Sequence, residues 1–289
     1  MIEKALASLG AAIAAKAKDD EPMREKQSAK IVQLRIWPES VRSVPNSFLR
    51  SALFAAIQGK TRHYLKDQFL GAAQGVSVKF TGMQLDQSDL DVWEQAAHLA
   101  RLHPLGNVCH FKGNAFLKAI GRNAGKNDYE WLDESFDRLV ACAVKISSGS
   151  RVFTGSPVQN CWRDEHTREY KLVLDPTIIA LFRSDDWTGV QFEERLALKG
   201  KPLALWLHGF YSSHAKPFPI KVETLHALSG STNKDMRGYK RDLKKAFAVL
   251  KDAAEIVGIV AGDLVSVTRD PSPAQRKHLA KKTTRRKPK

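Results

Sequence analysis

Residues 236–256 read MRGYKRDLKKAFAVLKDAAEI, and their periodicity decides how the rest of the chain is read. At about 100° per residue, Arg237, Lys240, Arg241, Lys244, Lys245 and Lys251 share an arc of roughly 140°. Met236, Leu243, Phe247, Leu250 and Ala254 fall on the opposite side. This pattern predicts a helix that packs by one face and presents cations on the other. Helix-turn-helix proteins place such a helix in the major groove of duplex DNA. There Arg bridges guanine O6 and N7, while Lys more often meets phosphate. A solvated basic face is the plainer reading of the same wheel, so the flanking segments must decide.

Upstream, ETLHALSG (223–230) reads as a short helix closed by Gly230, and STNKD (231–235) as a turn with capping residues and a further cation, Lys234. Before these come a short strand, PFPIKV, and a helix, KPLALWLHGFYSSH, with Leu203, Trp206, Leu207 and Phe210 on one side. GVQFEERLAL reads as a strand–helix junction. Downstream, GIVAGDLVSVTRD reads as a tight hairpin turning at Ala261, Gly262 and Asp263. Helix, strand, helix, turn, long helix and hairpin together give the winged-helix order.

The first half predicts the same order. Pro45 and Asn46 open a helix through SFLRSALFAAI, and VSVKF (76–80) alternates like a strand. Asp86 to Leu102 is an amphipathic helix with Leu90, Trp93, Ala97 and Leu102 inward. NVCHF is a strand, NAFLKAIG (114–121) a helix, RNAGKN a polar turn, and Asp128 to Ala143 a longer helix. VKIS follows as a strand, and RVFTGSPVQNCWRDEHTREYKLVLD as one long hairpin. The long helix here is acidic: Glu130, Asp133, Glu134 and Asp137 face outward, with Arg138 the one cation. Arg122 and Lys126, in the turn before it, are the candidate DNA contacts of this half.

Charge separates the halves. Of the formal net charge of +15, residues 1–36 carry +2, residues 37–190 carry +1 and residues 191–289 carry +12. A uniform basic bias would not concentrate so; an anion-binding surface would. From Arg276 onward there are eight Lys and Arg and no acid, which reads as a basic disordered arm. The first 36 residues, rich in Ala, Lys and Glu, read as a helix-prone or disordered tail.

The chain is therefore expected to be α+β, with two tandem winged-helix domains, a flexible N-terminal segment and a basic C-terminal tail. The boundaries are 1–36, 37–190 (dimerisation and secondary DNA contact), 191–270 (principal DNA reader) and 271–289. Three widely spaced cysteines, Cys109, Cys142 and Cys161, suggest no disulfide framework and fit a reducing cytoplasm. The start, MIEKALASLGAAIAAKAK, has an acidic Glu3 and early Lys16 and Lys18, against a secretory leader. No run approaches the ~20 apolar residues of a membrane span.

Three stretches resemble the TrfA-type plasmid replication initiators in order and spacing: WPESVRSVPNSFLRSALF, LVLDPTIIALF and FYSSHAKPFPIKVETLHALSGS. The likeness runs over about residues 33–268. It implies binding of double-stranded direct repeats (iterons) at a plasmid origin, opening of an adjacent AT-rich segment with single-strand contact, and recruitment of host initiator, helicase and sliding clamp. It also implies a monomer–dimer equilibrium, with dimers joined through the first domain. The family's Gln-Leu-x-Leu-Phe clamp-binding motif aligns with Gln33, Leu34, Arg35, Ile36 and Trp37, without the usual spacer before Trp-Pro. A plain first strand is the alternative reading of that segment. A winged-helix transcriptional regulator is the alternative for the whole chain.

No enzyme, cofactor or metal is expected. GRNAGKN (121–127) is one residue short of a phosphate-binding loop and lacks its hydroxyl. Cys109 and His110 are adjacent on a strand and point to opposite faces, and His208 and His214 lack nearby thiols. Asp185–Asp186 and Asp164–Glu165 lack the third carboxylate of a two-metal nuclease.

Overall fold

The computed structural model describes residues 37–285, apart from 74, 105, 150, 180 and 183–185. The N-terminal tail, with Gln33, Leu34 and Ile36, lies outside the described residues. The fold is mixed α and β, and its buried hydrophobic side chains form two clusters. One gathers residues between Trp37 and Phe192, the other chiefly residues between Leu198 and Val265.

The chain opens with β1 (Val41–Pro45), α1 (Asn46–Leu49), β2 (Phe54–Ala55), β3 (Tyr64–Leu70), β4 (Val76–Met83) and β5 (Leu85–Asp86). The helix expected through SFLRSALFAAI therefore stops at Leu49. Residues 51–57 are buried on every side, so their apolar run has no helical stripe. Their backbone bonds outward instead, Ala52 N to Gly71 O at 2.7 Å and Ala56 N to Ser229 O at 2.7 Å.

Next come α2 (Gln87–Ala100), β6 (Val108–Lys112), α3 (Gly113–Ala119) and α4 (Lys126–Ala141). Asp86 caps α2, accepting from Ser88 N (2.9 Å) and Asp89 N (3.1 Å), while Asp89 Oδ2 accepts from Asp86 N (3.0 Å). The same buried Asp89 carboxylate takes Arg138 (2.8 Å) and Ser135 (2.6 Å), tying α2 to α4. Leu102, expected inward, is 64% exposed because α2 ends before it.

The expected single long hairpin is two. β7 (Ala143–Ser148) pairs with β8 (Arg151–Gly155), and β9 (Val158–Arg163) pairs with β10 (Glu169–Leu174). Pro157, which has no N–H to donate, separates them. β7 and β8 join β3 and β4 in a four-stranded antiparallel sheet, β3-β4-β7-β8, whereas β6, β10 and β9 form a three-stranded sheet with β10 central.

After α5 (Pro176–Ile179), β11 (Trp187–Gln191) pairs antiparallel with β1. Then follow α6 (Phe192–Ala197), α7 (Pro202–Ser212), β12 (Ile220–Lys221), α8 (Val222–Ser229), α9 (Met236–Ala254), β13 (Val257–Ala261) and β14 (Leu264–Thr268). Their sheet, β12-β14-β13, has the connectivity of β6-β10-β9. Residues 271–285, expected to be an irregular arm, instead form α10 (Pro273–Arg285).

The two parts meet through a buried charged cluster. Arg195 of α6, its side chain 1% exposed, lies against α2. Its Nε is 2.5 Å from Asp91 Oδ1 and 3.3 Å from Glu94 Oε2, and its Nη2 donates to Gln87 O (3.0 Å) and Oε1 (3.1 Å). Burial pushes the Glu94 carboxyl up to about 7 although Arg195 pulls it down.

Candidate nucleic-acid interface

The helix α9 is held from three directions. Leu243, Phe247 and Leu250 are buried beside Trp206, Phe210 and Tyr211 of α7. Each such side chain contributes about 1.5–3 kcal/mol by leaving water. At its start, Asp235 accepts from Arg237 N (3.1 Å) and Gly238 N (2.9 Å). Those two bonds hold its carboxyl below the usual range.

A polar knot fixes the turn between α8 and α9. His226 Nε2 contacts Asn233 O at 2.7 Å, Asn233 Nδ2 donates to Asp242 at 3.0 Å, and Tyr239 Oη meets Ser229 Oγ at 3.2 Å. Gly230, at φ +59°, closes α8, the left-handed position glycine takes most easily. On the far side, β13 packs so closely that a Cβ on Gly258 would enter the Phe247 ring.

The opposite face of α9 is the cationic one. Arg237, Arg241, Lys244 and Lys245 are all exposed, as is Lys234 in the turn before it. Among the described residues these five make no ion pair, and Lys245 also borders a groove beside Asn233, Asp242 and Val249. Lys240 differs: its Nζ is 2.6 Å from Asp263 Oδ1 at the tip of the β13–β14 hairpin. Hydrogen bonding from Lys240 holds the Asp263 carboxyl below its ordinary value. Sequence reasoning did not find this pair, whose members are 23 residues apart and share no periodicity.

The corresponding helix of the first part, α4, exposes Glu130, Glu134 and Asp137. Its Asp133 is engaged by its own hairpin, with Arg163 at 3.2 Å, Arg168 at 3.9 Å and the Tyr170 hydroxyl at 2.8 Å. α4 is thus joined to the β9–β10 hairpin, and α9 to the β13–β14 hairpin, by an ion pair whose signs are reversed between the two parts. Arg122 is used internally, over the Trp131 ring at 3.3 Å and 3.1 Å from Asp128. Lys126 is exposed, 3.8 Å from Glu130. The structure therefore brings the second-part cations together on one face and keeps Arg122 and Lys126 apart from them on a different turn.

Trp37 is buried, stacked on Phe182 at 6.0 Å, with its Nε1 donating to His98 Nδ1 at 3.0 Å. It is a core residue, not an exposed anchor. Burial raises the Cys109 and Cys142 thiols to about 12, which keeps them protonated. Among the described residues no three His, Cys, Asp or Glu are placed to hold a metal ion, and no helix is long and apolar enough to cross a membrane.

The chain is 27% identical over 240 residues to the plasmid replication initiator protein TrfA of Escherichia coli. That alignment covers 78% of this chain and 62% of the relative, so the chain spans less than two thirds of the relative's length. The fold is similar to domains 2 and 3 of RctB, with a TM-score of 0.54 at 12% identity, over 78% of this chain and 98% of that one. A family model described as TrfA protein matches residues 6–269, and the chain belongs to that family.

Proposed function

We propose that this protein is a plasmid replication initiator that binds double-stranded direct repeats at an origin and reads them with α9. Membership of the TrfA family supports the class of function. The observation that carries the reading to residues is the one-sided helix: its apolar face is locked into the core while Arg237, Arg241, Lys244 and Lys245 stay exposed and, among the described residues, unpaired with acids. Exposed arginines on such a helix suit base edges, and lysines suit phosphates.

On this reading both parts are winged helices. The shared strand connectivity, with the third strand central, and the hairpin within each of these sheets, β9–β10 and β13–β14, support it. The two core clusters support a division near residue 191. The second domain, 191–270, reads DNA. The first, 37–190, with its acidic α4, assists or joins a second copy in a monomer–dimer equilibrium. The protein performs no bond chemistry itself; it opens AT-rich DNA, contacting the single strand, and gathers host initiator, helicase and sliding clamp in the cytoplasm. A clamp contact would rest on Gln33, Leu34 and Ile36, since Trp37 is committed to the core.

Footprinting on the DNA flanking its gene tests the proposal. Protection of tandem direct repeats is expected. A palindromic footprint would make it a transcriptional regulator, and protein-dependent nicking or synthesis with Mg²⁺ and nucleotides would make it an enzyme.

A further inference from the structure

The helix α10 lies beyond the residues that the family model matches, and its sequence, PAQRKHLAKKTTR, holds five cations and no acid. Lys277 and Lys281 are spaced four apart, a like-charge pair that weakens a helix. Few apolar residues oppose them, and Thr283 and Thr284 are poor helix formers. Its Ala, Gln, Leu, Lys and Arg residues favour a helix, but its like charges oppose one.

Its start is nevertheless built. Ser272 and Gln275 form a reciprocal cap, with Gln275 N donating to Ser272 Oγ (3.3 Å) and Ser272 N to Gln275 Oε1 (2.9 Å). Pro273 occupies the first helical position, where a missing N–H is harmless. Gln275 Nε2 donates to Ser212 O at the end of α7 (2.8 Å), and Arg269 Nη1 bridges Gln275 Oε1 (3.1 Å) and the carbonyls of Tyr211 and His214 (both 3.3 Å). The cationic helix is therefore pinned at its first turn to the domain that carries α9, while Arg276, Lys277, His278 and Lys281 are exposed.

We infer that α10 is a second DNA-contacting element, which binds backbone phosphates flanking the segment read by α9, without regard to sequence. The inference rests on the origin-binding reading above. Phosphate relieves the mutual repulsion of the helix, and attachment at the foot of the β13–β14 hairpin makes its charge part of the same complex. Duplex DNA is the favoured occupant over an acidic protein because the domain that anchors α10 also holds the other concentrated cationic face.

The test uses the full-length chain with Arg276→Gln, Lys277→Gln and Lys281→Gln combined, changes that remove charge from exposed positions. Two duplexes are titrated against salt, one carrying the direct repeats with about one helical turn of flank, the other scrambled. Losing three phosphate contacts should flatten the slope of log K against log salt by about 2.7 and weaken both duplexes equally at each salt concentration, by a factor about 40 times larger at 50 mM than at 200 mM. Trimming the flanks should bring the unmodified protein down to the variant's affinity. Unchanged slope and affinity in the variant, with the parent still preferring repeats, would overturn the role of α10 and leave α9's reading intact. If the parent prefers neither duplex, both readings fall.

Discussion

Lys240 of the long second-part helix reaches across to the tip of the hairpin that follows it, its Nζ 2.6 Å from Asp263 Oδ1. Of the cations on the outer face of α9, it alone among the described residues is neutralised within the protein. The pair fixes the hairpin tip beside the helix and withholds one positive charge from the face proposed to meet DNA.

Asp263→Asn should release that charge. Removing an exposed carboxylate and freeing Lys240 should raise DNA affinity a few-fold and steepen the salt slope by about 0.9, one additional phosphate contact. Thermal stability should stay near that of the parent, since an exposed pair contributes little. A weaker complex with an unchanged slope would show that the pair positions the hairpin instead of masking a cation.

The arginines and lysines of α9 should fail differently. Arg237→Ala or Arg241→Ala should lower affinity for the repeats by about 1–3 kcal/mol and relax sequence preference where a base contact is lost. Lys244→Ala and Lys245→Ala should weaken repeat and scrambled duplexes alike and flatten the salt slope. A variant with all four changed that binds repeats normally would remove α9 from the interface.

Glu94 gives the fold a dependence on pH between 4.5 and about 7. Its carboxyl is raised from 4.5 to about 7 in the folded protein, chiefly by burial. A group raised on folding contributes stability that is present below 4.5 and is lost as pH rises through about 7. Glu94→Gln keeps the shape and removes the titration. Its unfolding midpoint should gain on the parent's as pH rises from 4.5 to about 7 and hold that lead above. Parallel midpoint curves for the two proteins would refute the assignment.

Gly258→Ala tests how closely the hairpin packs. A methyl there enters the Phe247 ring, so β13 or α9 must shift. Overpacking of this kind costs about 1–3 kcal/mol, which unfolding in denaturant should register as a lower midpoint. An unchanged midpoint would mean that the hairpin yields freely.

The second part was legible in the sequence chiefly because α8, α9 and the strands β13 and β14 are one-sided. The helix α9 alternates cation and apolar positions, Gly230 marks the end of α8, and Gly262 marks the hairpin turn. The edge strand β3 was missed because both of its faces are largely exposed and it lacks the alternation that betrays a half-buried strand. The stretch after Leu49 misled for the opposite reason, being buried all round. The start of α10 was readable as Ser272-Pro273-Ala274-Gln275, a cap with proline at the first helical position, but the run of lysines drew the reading toward an irregular arm. Charge alone identified the face of α9; which cation is masked depended on a partner across the hairpin.

The burial of Arg195 against Gln87, Asp91 and Glu94 bears on how readily the second half can be exchanged between related proteins. A transplanted second half that lacked this arginine would leave two carboxylates of α2 without the cation that contacts them both. One that carried the arginine onto an unmatched α2 would bury a lone positive charge. If α9 reads the repeats as proposed, new specificity should travel more easily as substitutions on its outer face than as exchange of a whole half between parents that do not share the lock.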